Sequence, residues 1–88
     1  MKVNLIGVQN MKKLTMRDGS VIDGVKLHMA YPKDGIVGCF VDSKFIGRET
    51  FNTFDVTVEQ LEEIASEGVE VIDVEYGPNN KIVGRAHV

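Results

Sequence analysis

Hydrophobic and polar residues alternate along most of this chain, and the alternation stops where Gly, Pro or Asp-Gly stands. The opening segment VNLIGVQNMKKLTM reads as one long strand. Gly7 inside it marks a bend or bulge of the kind that lets a strand turn a sheet corner. Asp18-Gly19 predicts a tight type I′ hairpin, whose two central positions both need positive φ. On the return strand Val21, Val25, Leu27, Met29 and Tyr31 share one face, while Ile22, Gly24, Lys26, His28 and Ala30 share the other. The odd set is the expected core face, and Asp23 is its one polar exception.

Pro32-Lys33-Asp34-Gly35 predicts a second turn. IVGCFVDSKFIG is then read as a third strand, with Val37, Cys39, Val41 and Phe45 on one face. Ile36, Phe40, Asp42, Lys44 and Ile46 fall on the other. Next comes a helix with a clear start: Thr57 caps it, Gln60 completes a capping box, and Val56 with Leu61 stands at the staple positions. Acidic Glu59, Glu62 and Glu63 suit its N-terminal end. Leu61, Ile64 and Ala65 give it an apolar stripe, and Gly68 ends it. The closing segments VEVIDVEY and KIVGRAHV are two more strands around the turn GPNN. Apolar parity slips between Val69, Val71 and Ile72, Val74, Tyr76, which predicts a bulge near Val71-Ile72.

The expected fold is therefore mainly β with one short helix, in the order β-β-β-α-β-β. That is the element order of a five-stranded OB-like barrel, with SH3-like barrels and open α+β sheets as alternatives. Residues 1–88 form one domain, since a chain of 88 residues has room for a single small core. Cys39, the lone cysteine, excludes an internal disulfide and is read as a buried, reduced thiol within an apolar run. No apolar stretch is long enough to cross a bilayer and no signal-peptide core is visible. A cytoplasmic protein with no membrane partner is expected.

The net charge of −3 opposes a uniformly basic nucleic-acid binder. The charge is uneven, however. Residues 1–58 hold eight Lys/Arg against six acids, and residues 59–88 hold two against seven, so the first part is net +2 and the last net −5.

With the odd face of the second strand turned inward, Lys26 and His28 point outward. Phe40 and Lys44 on the third strand are expected to join them on one surface. Aromatic faces that stack on bases and cations that follow phosphates are the chemistry of single-stranded nucleic-acid binding. The competing role for Phe40 is packing beneath the helix or against a dimer partner. KFIGRETFNTFDV reads as a connecting loop in which Phe51, with Phe45 and Phe54, either clamps bases beside Arg48 or anchors core or dimer contacts. The candidate binding residues are thus Lys26, His28, Phe40, Lys44, Arg48 and Phe51.

Other chemistry finds little support. His28, His87 and Cys39 lack metal-ligand spacing, no cofactor motif is present, and Ser20, Ser43 and Ser66 have no base partner nearby. Gly35-Ile36-Val37-Gly38 matches a bare GxxG without the helices that such a loop needs. A non-enzymatic protein is expected.

The segment RDGSVIDGVKLHMAYPKDGIVGCFV, with G-x-K-L-H-x-x-Y after an Asp-Gly hairpin, resembles the front half of small single-stranded DNA-binding proteins of filamentous phages and Gram-positive mobile elements. The resemblance covers mainly residues 10–46. It implies an OB-type homodimer that binds single-stranded DNA or RNA with weak sequence preference in phage or mobile-element replication. The acidic helix and the acidic total depart from that pattern. A protein-interaction or regulatory module of the same fold, using the acidic helix and the Phe-rich segment, is the alternative.

Overall fold

A long hairpin dominates the architecture. A computed structural model describes residues 1–87, and in it β1 (Lys2–Thr15) pairs antiparallel with β2 (Val21–Tyr31). β3 (Phe40–Gly47) lies on the other side of β2, and β4 (Glu70–Asp73) pairs with the first residues of β1. The order β3-β2-β1-β4 makes a curled, antiparallel half-barrel. β5 (Glu75–Tyr76) and β6 (Ile82–Gly84) form a separate two-stranded ladder. Two helices stand between β3 and β4: a single turn, α1 (Arg48–Phe51), and α2 (Val58–Glu67).

Gly7 marks a bulge, as the pattern predicts. The register slips between Leu5 and Gly7, so Ile6 is the extra residue and the inward positions change from Val3 and Leu5 to Val8. A second slip falls between Met11 and Leu14, where Lys13 takes a positive φ of 46°.

The hairpin turn differs from the type I′ expectation. Only Gly19 has positive φ (88°), and the Gly19 N–H donates to Met16 O at 3.0 Å while Met16 N–H donates to Ser20 O at 2.7 Å. This is a three-residue loop ending in a left-handed glycine. Asp18 favours it by accepting from the Ser20 N–H (2.9 Å) and hydroxyl (2.6 Å). The same two contacts hold its carboxyl below the usual carboxylate range.

The third strand starts later than its apolar run suggests. Gly35 and Gly38 both have positive φ (82° and 94°), so the chain loops from Pro32 to Cys39 and pairs only from Phe40, opposite Tyr31. Val37 is fully solvated and Cys39 is exposed, not a buried thiol. Nor is there a bulge at Val71-Ile72. β4 pairs regularly with β1, so Val69 and Val71 point out while Ile72 and Val74 point in. The irregularity comes after Val74, where β4 gives way to β5 and the β5–β6 register shifts.

The predicted helix start is present in full. Thr57 Oγ1 accepts from Gln60 N–H and Gln60 Oε1 accepts from Thr57 N–H, a reciprocal capping box. Gly68, with φ of 135°, ends α2. Leu61 is fully buried beside Val58, with Ile64 and Ala65 at the margin. α2 packs on β1 and so covers the inner face of the half-barrel. The core beneath it is built from Val3, Leu5, Val25, Leu27, Met29, Ile46, Ile72 and Val74.

Where the sequence predicts five strands, six are formed among the described residues. They make an open sheet plus a ladder, because β4 and β5 are divided at Val74. No helix is long and apolar enough to cross a membrane among the described residues.

Candidate nucleic-acid interface

The inner side of the curled sheet is filled by the core, and its outer side faces solvent. The β2–β3 ladder decides which candidate residues meet there. Every pair joins an odd residue of one strand to an even residue of the other, as in Tyr31 with Phe40, Leu27 with Lys44 and Lys26 with Phe45. Directly opposed side chains stand on the same face. Lys26 and His28 therefore share the outer face with Phe45, Ser43 and Val41. Phe40 and Lys44 share the inner side with Tyr31 and Leu27. The four residues expected on one surface are divided between two. The even number of residues in the Pro32–Cys39 connection inverts the parity that the sequence reading carried across it.

The outer face consists of short cross-strand rows. Gln9, Lys26 and Phe45 form one, Gly7, His28 and Ser43 the next, and Asn4, Ala30 and Val41 a third. None of these rows holds a carboxylate. His28 Nδ1 lies 2.6 Å from Ser43 Oγ, which fixes the imidazole plane across the two strands. Gly7 stands opposite His28 and leaves its ring uncovered: a Cβ there would lie 3.3 Å from His28 Cδ2.

Phe45 lies across Gly24. A Cβ on Gly24 would meet the Phe45 ring at 2.7 Å and overlap the Ile46 carbonyl oxygen, so glycine is required by close approach. One side of the ring thus rests on backbone, yet the residue remains 48% exposed. The sequence places Phe45 on the third strand, on the face opposite Phe40 and Lys44, and also among the phenylalanines that clamp bases or anchor the core. β3 does carry it on the face opposite those two. The position of Phe45 opposite Lys26 follows from register, which the sequence does not display.

Phe40 is half-buried. Its ring packs edge-on against Tyr31 at 5.7 Å between centroids, and Lys33 Nζ sits 4.2 Å over its face. Lys44 Nζ is 3.7 Å from Asp42 Oδ2, and Tyr31 donates to the same oxygen at 3.4 Å. Among the described residues the buried Tyr76 hydroxyl has no hydrogen-bond partner. Burial raises the pKa of both phenols, with the negative Asp42 adding to the effect at Tyr31 and Tyr31 with Asp42 adding to it at Tyr76. Phe40 and Lys44 are therefore committed to a local network at one end of the core.

Arg48 and Phe51 sit on α1, a helical turn where a loop was expected. Arg48 Nη2 donates to Asn10 Oδ1 at 2.7 Å, and its Nε donates to Asp23 Oδ1 at 3.2 Å. The guanidinium thus ties both strands of the hairpin to α1. Phe51 is 4% exposed and stacked on Phe54 at 4.8 Å. It is a core residue, as phenylalanine without a polar handle tends to be. Neither side chain joins Lys26 and His28.

Among the described residues no three His, Cys, Asp or Glu side chains are grouped to hold a metal ion. Comparison with family models, curated proteins and solved structures finds no match to this chain.

Proposed function

We propose that the outer face of β1, β2 and β3 binds single-stranded nucleic acid weakly and with little sequence preference. The observation that carries this reading is the half-exposed Phe45 ring beside Lys26, on cross-strand rows of β1, β2 and β3 that hold no carboxylate. In this reading the ring stacks on a base, Lys26 follows the phosphates, and His28 with Ser43 offers a ring face and hydrogen bonds. The carboxylates of α2 lie elsewhere, so the acidic total does not by itself oppose a local anionic ligand. A stacked base contributes about 1–3 kcal/mol, enough for weak multisite binding.

The same proposal includes an OB-type barrel, cytoplasmic, dimeric and serving phage or mobile-element replication. Two features support the barrel: β6 approaches β3 without pairing to it, and β4 and β5 are separated by Val74 alone. Counted as one interrupted strand, they give five strands around one core, with the ligand on the surface where OB-folds take oligonucleotides.

The test is a titration of fluorescent oligo-dT with the whole chain at low salt. Micromolar-range binding that weakens as salt rises supports the proposal. No binding, or binding indifferent to salt and to Lys26→Glu, sinks it. A protein-binding module is the second reading, favoured by the exposed aliphatic residues Ile6, Val41 and Val71 around the same face. Burial of Phe51 and Phe54 leaves Phe45 as the exposed aromatic that the Phe-rich segment offers it. In that case Val41→Asp abolishes partner binding while Lys26→Glu has little effect.

A further inference from the structure

The ten residues Lys12–Val21 are all exposed and form the free end of the β1–β2 hairpin. This arm is both cationic and apolar. It carries Lys12, Lys13 and Arg17 against Asp18 alone, and Leu14, Met16 and Val21 are 43%, 46% and 61% exposed. Its base is held by the Arg48 hydrogen bonds to Asn10 and Asp23, one on each strand.

The complementary chemistry stands where α2 meets β4. Ile64, Glu67, Gly68, Val69 and Glu70 line a notch of about 220 Å³. Glu67 and Glu70 are exposed, and among the described residues neither is in an ion pair. Val69, 66% exposed, supplies an apolar wall. The arm cannot reach the notch of its own chain. Glu70 pairs with Leu5, and the strand from Leu5 to Lys12 extends roughly 23 Å at about 3.3 Å per residue.

We propose that the arm of one copy docks in the α2–β4 notch of another. Leu14 or Met16 enters between Ile64 and Val69, and Lys12, Lys13 and Arg17 face Glu67 and Glu70. A second copy is the partner that these features select, because one chain carries both a basic-apolar projection and an acidic-apolar recess. The two surfaces differ, so the contact is head-to-tail and builds rings or open chains. It leaves the outer sheet face free and is independent of nucleic-acid binding.

Sedimentation of the whole chain without nucleic acid tests the proposal. The wild type is expected to associate at low salt and dissociate as salt rises. Lys12→Glu/Lys13→Glu and Glu67→Lys/Glu70→Lys are each expected to weaken association by about tenfold or more. An equimolar mixture of the two variants restores it, since each then meets a complementary surface. All four positions are exposed, and unchanged circular dichroism confirms that the variants fold. A wild type that remains monomeric at high concentration overturns the proposal, as does a dimer indifferent to these charges. So does a Lys12→Glu/Lys13→Glu variant that loses only oligonucleotide affinity, which makes the arm a nucleic-acid element instead.

Discussion

β3 offers a phenylalanine near a lysine on each of its sides, and the two sides do different things. On the inner side Phe40 is flanked by Tyr31 and covered by Lys33, while Asp42 holds Lys44 and Tyr31. On the outer side Phe45 rests on Gly24 and keeps about half its surface in water. Lys26 beside it is in no ion pair among the described residues. The same residue types make a self-satisfied network on one side and an open surface on the other. Composition alone cannot separate them; register and the presence of carboxylates do.

The comparison breaks most visibly on stability. Leu27→Ala on the inner face removes a fully buried side chain and is expected to cost about 2–5 kcal/mol in urea denaturation. The neighbouring His28→Ala loses one exposed hydrogen bond and should cost no more than about 1 kcal/mol. Equal losses would mean that the outer face is itself packed.

Gly24→Ala is next. Its Cβ overlaps the Ile46 carbonyl and the Phe45 ring, so a loss of about 1–3 kcal/mol is expected, with Phe45 displaced from its seat. Aromatic shifts in NMR spectra report that displacement, and an unmoved ring would show that Gly24 does not position it.

On binding, Lys26→Glu and Phe45→Ala are each expected to weaken oligo-dT by about tenfold, a change of roughly 1.4 kcal/mol. Lys44→Gln, on the inner side, should leave affinity within about twofold. Reversed effects would return the site to the Phe40 side.

The smallest effect is at high pH. Burial favours the neutral phenols of Tyr31 and Tyr76 and raises their pKa in the folded chain. Their contribution to stability is present below the unfolded value near 10 and is lost as pH rises through the folded values. Spectrophotometric titration should show both tyrosines ionising later than in the unfolded chain, and Asp42→Asn should bring Tyr31 part of the way back.

Much local chemistry set by neighbours along the chain was legible in the sequence, although the Asp18-Gly19 turn type and the absence of a bulge at Val71-Ile72 were not. Thr57 and Gln60 announce the start of α2, Gly7 announces a bulge, and Val25, Leu27 and Met29 announce an inward face. What lay across the chain was not. The pairing of Lys26 with Phe45 depends on the length of the Pro32–Cys39 connection, whose left-handed glycines shorten β3 and reverse its parity. Arg48 looked free because its acceptors, Asn10 and Asp23, are distant in sequence. Phe51 reads as a loop residue because a single helical turn carries too few positions to show a period, and Phe54, which does lie in the connection after α1, is buried through its stacking on Phe51.

The order of strands in the sheet has a consequence for how the chain assembles. The β1–β2 hairpin and β3 join through neighbouring segments, whereas β1 meets β4 only when Lys2 pairs with Asp73. Local pairings close quickly and distant ones late. During synthesis the first three strands are therefore complete while α2 and β4 are still missing, and Leu5, Leu27, Met29 and Ile46 face water together. The last third of the chain acts as the lid that ends this interval, so the speed with which α2 docks governs how long the nascent sheet is open to aggregation.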